Sequence, residues 1–172
     1  MKGIIVIGAA GSGTRITTQI LVENGCFGEY DHTQDLDKME TDISKEKFVV
    51  IRRSIPHGNW ADKRSHDLET LVAYYEKQGV SEIIYVLTHR FPKYMAHSQL
   101  SHDGLIRDIA EGFENVELAV RTLNSVLEGK IVPMSYEMLI AYPKIMQKYL
   151  CDSVGLKIKK YCEIIDGNKK YE

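Results

Sequence analysis

Near its N-terminus the chain reads Ile4-Ile5-Val6-Ile7-Gly8-Ala9-Ala10-Gly11-Ser12-Gly13-Thr14-Arg15-Ile16. Four consecutive aliphatic residues, three of them isoleucine, have the composition of a strand covered on both faces, as in a parallel sheet. A glycine-rich turn follows, and from Thr14 to Asn24 the apolar residues Ile16, Ile20 and Leu21 recur at helical spacing, with Gly25 placed to stop the helix. Gly8 and Gly13, five positions apart between a buried strand and a helix, supply what a phosphate-cradling loop needs. Glycines let the backbone turn its N–H groups inward, and the helix N-terminus adds positive potential. The competing reading is a tight turn with no ligand.

Outward from this loop, the same two periodicities alternate along the chain. Phe48-Val49-Val50-Ile51 reads as a second buried strand ending in Arg52-Arg53. Residues 67–78 place Leu68, Leu71, Val72 and Tyr75 on one helix face, closed by Gly79. Residues 82–87 form another apolar run, entering Thr88-His89-Arg90, and Pro92 suits a helix start. Helical spacing then persists from Leu105 to Leu127, ending at Gly129. Ile131-Val132-Pro133-Met134 is a last short strand, with Pro133 marking an end or an edge. From Tyr136 a helix interrupted near Pro143 runs to Val154-Gly155-Leu156. The polar residues 29–47 read as a loop or lid. This alternation predicts one α/β domain over residues 1–172: a three-layer αβα arrangement of P-loop nucleotide-binding type around a parallel sheet, with ligands expected beyond the C-terminal strand ends.

Composition narrows the function classes. In 172 residues, Lys+Arg total 22 against Asp+Glu 24, a net charge of −2, with 44% hydrophobic and 27% charged residues. These values lie in the ordinary globular range and exclude disordered, collagen-like and membrane-spanning chains. Without a basic excess, a broad nucleic-acid footprint is not expected, so any anion must meet a local site. Cys26, Cys151 and Cys162 are odd in number and widely spaced, which fits reduced thiols in a cytoplasmic protein rather than a metal or redox pair. The N-terminal apolar run is too short, and too glycine-terminated, for a secretory leader.

The loop lacks two features of a phosphoryl-transfer site. Thr14-Arg15 replaces the Lys-Ser/Thr pair of a Walker A motif, and no strand ends in a magnesium-binding Asp: Ile51 precedes Arg52, Leu87 precedes Thr88, and Met134 precedes Ser135.

Three segments, in order, carry a resemblance. Gly11-Ser12-Gly13-Thr14-Arg15 resembles the 5′-phosphosulfate loop of the sulfotransferases, which opens the first helix. Arg90-Phe91-Pro92, with Ser98 eight residues after the arginine, resembles that family's 3′-phosphate segment. Tyr136-Glu137, with Pro143 and Val154-Gly155-Leu156, is similar to its strand-then-Tyr-Glu helix and closing Gly-Leu. The resemblance implies a cytoplasmic enzyme that uses 3′-phosphoadenosine 5′-phosphosulfate, without metal, to sulfurylate a hydroxyl or amine on a small-molecule or glycan acceptor, leaving 3′,5′-adenosine bisphosphate. It assigns Gly11, Ser12, Gly13, Thr14 and Arg15 to the 5′ end of the donor, Arg90 and Ser98 to the 3′-phosphate, and Tyr136 to the nucleotide. The family's loop cation stands where this chain has Gly11. Its C-terminal Arg-Lys-Gly loop has only Asn168-Lys169-Lys170-Tyr171 as a counterpart here.

The stretch Arg52-Arg53-Ser54-Ile55-Pro56-His57 resembles the family's segment after the second strand, which makes His57 the candidate general base and Arg52 or Arg53 the candidate sulfuryl contact. A solvent-facing His57 is the competing reading. His89, His97 and His102 are spaced unlike a compact metal set. Glu29, Asp31 and Asp35 read as a solvated loop, and Trp60 and most tyrosines as packing residues. A nucleotide or small-molecule kinase, and a non-catalytic nucleotide-binding module, remain the alternatives.

Overall fold

The aliphatic run of residues 4–7 sits at the centre of a five-stranded, all-parallel sheet, the position its lack of polar alternation demands. The structure, a computed structural model, describes residues 1–28, 41–54, 68–101, 106, 108–126 and 129–171. Along the chain lie β1 (Lys2–Gly8), α1 (Thr14–Glu23), β2 (Phe27–Gly28), β3 (Phe48–Ser54), α2 (Leu68–Lys77), β4 (Glu82–His89), α3 (Pro92–Leu100), α4 (Ile109–Val126), β5 (Lys130–Ser135), α5 (Tyr136–Ala141) and α6 (Pro143–Val154). A single 3-10 turn, Lys169–Tyr171, follows near the C-terminus.

Strand order is β2-β3-β1-β4-β5. The chain builds outward from β1 on one side, then crosses to the other. Strand order therefore reverses around β1, which opens a crevice beyond the C-terminal ends of β1 and β4.

The two faces of β1 bury into separate cores. Ile4 and Val6 pack with Ile20 and Leu21 of α1, Leu139 of α5 and Leu150 of α6. Ile5 and Ile7 pack with Leu71 and Tyr75 of α2 and Met95 of α3. This is the expected αβα layering. Tyr75 is fully buried, and its hydroxyl lies 3.0 Å from the Ile4 carbonyl and 3.2 Å from that of Val49, pinning α2 across β1 and β3. Tyr75→Phe is expected to lower stability by about 1 kcal/mol, the usual net value of a buried hydrogen bond, with little change in urea m-value.

Several boundaries differ from the sequence reading. The second long strand does not stop at Ile51: β3 continues to Ser54, because β1 pairs with it as far as Gly8↔Ser54. The two-residue strand β2 is too short to leave a periodic signal. Helix α4 starts at Ile109 rather than near Leu105, behind an Asp108 carboxylate that accepts a hydrogen bond from the Glu111 N–H at 2.9 Å. Ile106 is buried ahead of it. Of the segment expected to be a polar loop, residues 41–47 are irregular but anchor Ile43, which is fully buried in the α2-side core. Residues 29–40 lie outside the described residues. Pro133 sits within β5, an edge strand, where a missing N–H costs no ladder bond on the open side. Gly155 closes α6 in the left-handed conformation, as its place after the last helical residue predicts.

Candidate anion-binding site

The loop from Gly8 to Gly13 is held by its carbonyls. Ala9 O accepts from the Ser12 N–H at 3.0 Å, Ala10 O from the Gln99 side-chain amide at 2.9 Å, and Gly11 O from Arg90 Nη1 at 3.1 Å. Gln99 is itself fixed by Asn115, whose amide reaches Gln99 Oε1 at 3.3 Å. Three successive carbonyls of the loop are thus fixed by protein donors. Helix α1 makes its first bond from the Thr17 N–H to Gly13 O at 3.1 Å, so the N–H groups of Thr14, Arg15 and Ile16 precede the helical ladder. Gly13, the N-cap residue, offers them no side chain. These N–H donors and the helix dipole give the N-terminus of α1 a positive potential, which suits an anion.

Not every loop group serves that purpose. The Ser12 N–H is committed to the turn. The Thr88 hydroxyl donates to Ile7 O at 3.2 Å, leaving the Ser12 hydroxyl to donate to Thr88 Oγ1 at 2.7 Å. Ser12 therefore ties the loop to β4 through its hydroxyl and closes the turn through its N–H. Thr14 is buried, whereas Arg15 is exposed.

The backbone explains the two inner glycines. Gly11 has φ +82° and Gly13 φ +98°. A Cβ at Gly11 would lie 2.9 Å from Ser98 Cβ, and one at Gly13 would lie 2.9 Å from the Tyr136 ring. The loop is therefore packed at Gly11 against Ser98 and at Gly13 against Tyr136, residues far apart in sequence.

Arg90 completes the cluster. It leaves the end of β4 just before Pro92 starts α3. Its guanidinium carbon stands 4.6 Å from the Tyr136 ring centroid, 5.7 Å from Tyr94 and 5.6 Å from Tyr171. Nε donates to Asn168 Oδ1 at 2.7 Å. Nη2 is buried and has no hydrogen-bond partner among the described residues. The nearby Glu137 carboxylate is engaged elsewhere, accepting from the Phe91 N–H at 2.9 Å.

The C-terminal segment wraps this cluster through contacts from Ile165 to Tyr171. The Tyr136 hydroxyl donates to Ile165 O and accepts from the Gly167 N–H, each at 3.1 Å. Tyr171 stacks on His97, with centroids 5.8 Å apart and rings inclined by 20°. Burial pushes the Tyr171 phenol up, but hydrogen bonds with Lys170, Ser101 and Ser98 and the Lys170 charge outweigh it, leaving the phenol below its ordinary value. Residues 168–171 thus stand at the site, although the contacts to Arg90 come from Asn168 and Tyr171 rather than from the lysines.

Arg52 and Arg53, the described candidates at β3, do not form one unit. Arg52 and Arg53 lie beside Val6 and Ile7 in the β1–β3 ladder, inside the strand rather than past its end. Strand alternation sends their side chains to opposite faces of the sheet, so they are not a single clamp. Arg53 is buried, with Nη1 donating to Arg52 O at 2.6 Å. His57 lies outside the described residues, as do Glu29, Asp31, Asp35, Trp60 and His102. His89 is exposed at the end of β4. Among the described residues no three His, Cys, Asp or Glu side chains gather as a metal set, and no helix is long and apolar enough to cross a membrane. Burial pushes the Cys26 thiol up to about 12 and Cys151 up to about 11, and Cys162 is also raised by burial, so none is a ready nucleophile.

No family model and no curated protein matches the sequence. Among solved structures, mouse sulfotransferase SULT7A1 complexed with PAP shares the fold, with a TM-score of 0.54 at 14% sequence identity. The match covers 92% of this chain and 61% of that one, so this chain spans less than two thirds of its neighbour's length.

Proposed function

We propose that this chain is a sulfotransferase that binds 3′-phosphoadenosine 5′-phosphosulfate and transfers its sulfuryl group to a hydroxyl or amine of a small-molecule or glycan acceptor. The observation that carries this reading is the meeting of two anion-binding elements across the β1–β4 crevice: the uncapped N-terminus of α1, and the buried Arg90 with its partnerless Nη2. A fold shared with a sulfotransferase crystallised with PAP supports it. The orphaned guanidinium nitrogen fits a phosphate oxygen as its hydrogen-bond acceptor.

In this reading, Arg90 and Ser98 hold the 3′-phosphate, and the N–H groups of Thr14, Arg15 and Ile16 meet the 5′ end. The tyrosine ring at 136 flanks both. When bound, the donor supplies the activated sulfuryl group. The chain orients it, the helix N-terminus stabilises negative charge gathering on the departing phosphate, and His57 accepts the acceptor's proton. In this reading Arg15, or one of Arg52 and Arg53, contacts the sulfuryl oxygens during transfer.

Gly11 favours a second reading, a nucleotide-binding module without transfer chemistry, because its φ of +82° and its contact with Ser98 leave no place for the family's loop cation. Calorimetry separates these readings. The protein is expected to bind 3′,5′-adenosine bisphosphate without metal, and to transfer sulfuryl to at least one member of a broad acceptor panel. Binding without transfer selects the module. Tight binding of ATP with magnesium, and none of the bisphosphate, selects a kinase and overturns the proposal.

A further inference from the structure

Arg90 is 7% exposed, yet the described residues give it no carboxylate. Its partners are an amide oxygen of Asn168, the Gly11 carbonyl and three tyrosine faces. All are neutral. A buried guanidinium is costly unless its charge is met, and the ordinary solution is an Asp or Glu. Two described carboxylates close in sequence to its partners are used locally instead: Glu137 accepts from the Phe91 N–H, and Asp166 accepts from the Asn168 N–H at 2.9 Å, shaping the turn that presents Asn168.

We propose that Asn168 is a positioning residue that orients Arg90 through Nε while leaving its charge un-neutralised, so that the 3′-phosphate supplies the missing counter-charge. The inference rests on the donor-site reading above and extends the site to the C-terminal turn. A carboxylate at this position would make the same hydrogen bond, but it would form an ion pair and compete with the ligand. Tyrosine faces act likewise, attracting a cation without cancelling its charge. The asparagine thus separates two tasks that an aspartate would merge.

The separation is testable because the isosteric variant should move affinity and stability in different directions. Wild type, Asn168→Asp and Asn168→Ala are titrated with 3′,5′-adenosine bisphosphate and with 5′-AMP, which lacks the 3′-phosphate, and melted without ligand. Asn168→Asp is expected to weaken the bisphosphate at least about tenfold and AMP by less than about twofold, while melting no lower than wild type. Asn168→Ala is expected to weaken the bisphosphate about threefold to tenfold through lost orientation. Full bisphosphate affinity in Asn168→Asp would mean that only an acceptor is required, and would overturn the proposal. Equal loss of both ligands, or an aspartate variant that melts lower or fails to fold, would do the same. A wild type that binds neither ligand would refute the donor-site reading itself, before any variant is made.

Discussion

Replacing Arg90 with alanine is expected to weaken 3′,5′-adenosine bisphosphate binding by about 2–4 kcal/mol, a loss of roughly thirtyfold to a thousandfold. The size follows from the charge-assisted hydrogen bonds lost to the phosphate, each about twice a neutral one. A second contribution is indirect. Arg90 Nη1 holds the Gly11 carbonyl, so the alanine variant also frees one of the three carbonyl anchors of the loop. Arg90→Lys is expected to fall between wild type and alanine, because an ammonium keeps the charge but cannot bridge Asn168, Gly11 and a ligand at once. Ligand-free stability should change less than affinity, since an un-neutralised buried cation contributes little to the folded state on its own. Calorimetric titration checks the first quantity and thermal melting the second. Unchanged bisphosphate affinity in a folded Arg90→Ala protein would remove Arg90 from the site.

Gly11→Lys, which inserts the cation found in the resembled family, is expected to damage the site rather than equip it. A non-glycine residue at φ +82° stores about 1–3 kcal/mol of backbone strain. Its Cβ would also press to 2.9 Å from Ser98 Cβ and 3.0 Å from Ser98 Oγ, and relief requires α3 or the loop to shift. Because the proposed donor site uses both Ser98 and Arg90, that shift should cost at least about tenfold in bisphosphate affinity, together with several degrees in melting temperature. Thermal melting and titration on one preparation test both. A variant that melted normally and gained sulfuryl transfer would show that the loop accepts a cation at this position.

How far these residues are visible without a structure depends on the range of the interaction that places them. The strand at residues 4–7, the glycine-rich turn and the first helix follow from neighbours within a few positions. Side-chain periodicity, glycine φ and helix stops are all local properties of the chain. The same holds for Pro92 opening α3, Gly155 closing α6 and the alternation that makes the sheet parallel. The loop, Arg90, Ser98 and Tyr136 stand out as candidates in the sequence because each lies just past a recognisable strand or on the helix that follows it, where an open α/β sheet gathers its ligand contacts.

Tertiary structure decided what local pattern does not encode. Only pairing with β1 carries β3 through Arg52 and Arg53 to Ser54, placing those arginines on opposite faces of the sheet. Ile43 lies in a mostly polar stretch that reads as a loop, and only packing against the α2-side core decides that it is buried. Asn168 reaches Arg90 across 78 positions, and Tyr171 meets Ser101 across 70. Contacts at that separation depend on where the chain returns after crossing the sheet, and short-range spacing carries no record of that path. The sequence alone therefore determined the scaffold and the loop that opens α1. The fold determined which neutral groups enclose Arg90, because a buried charge is governed by what surrounds it in space rather than by its neighbours along the chain.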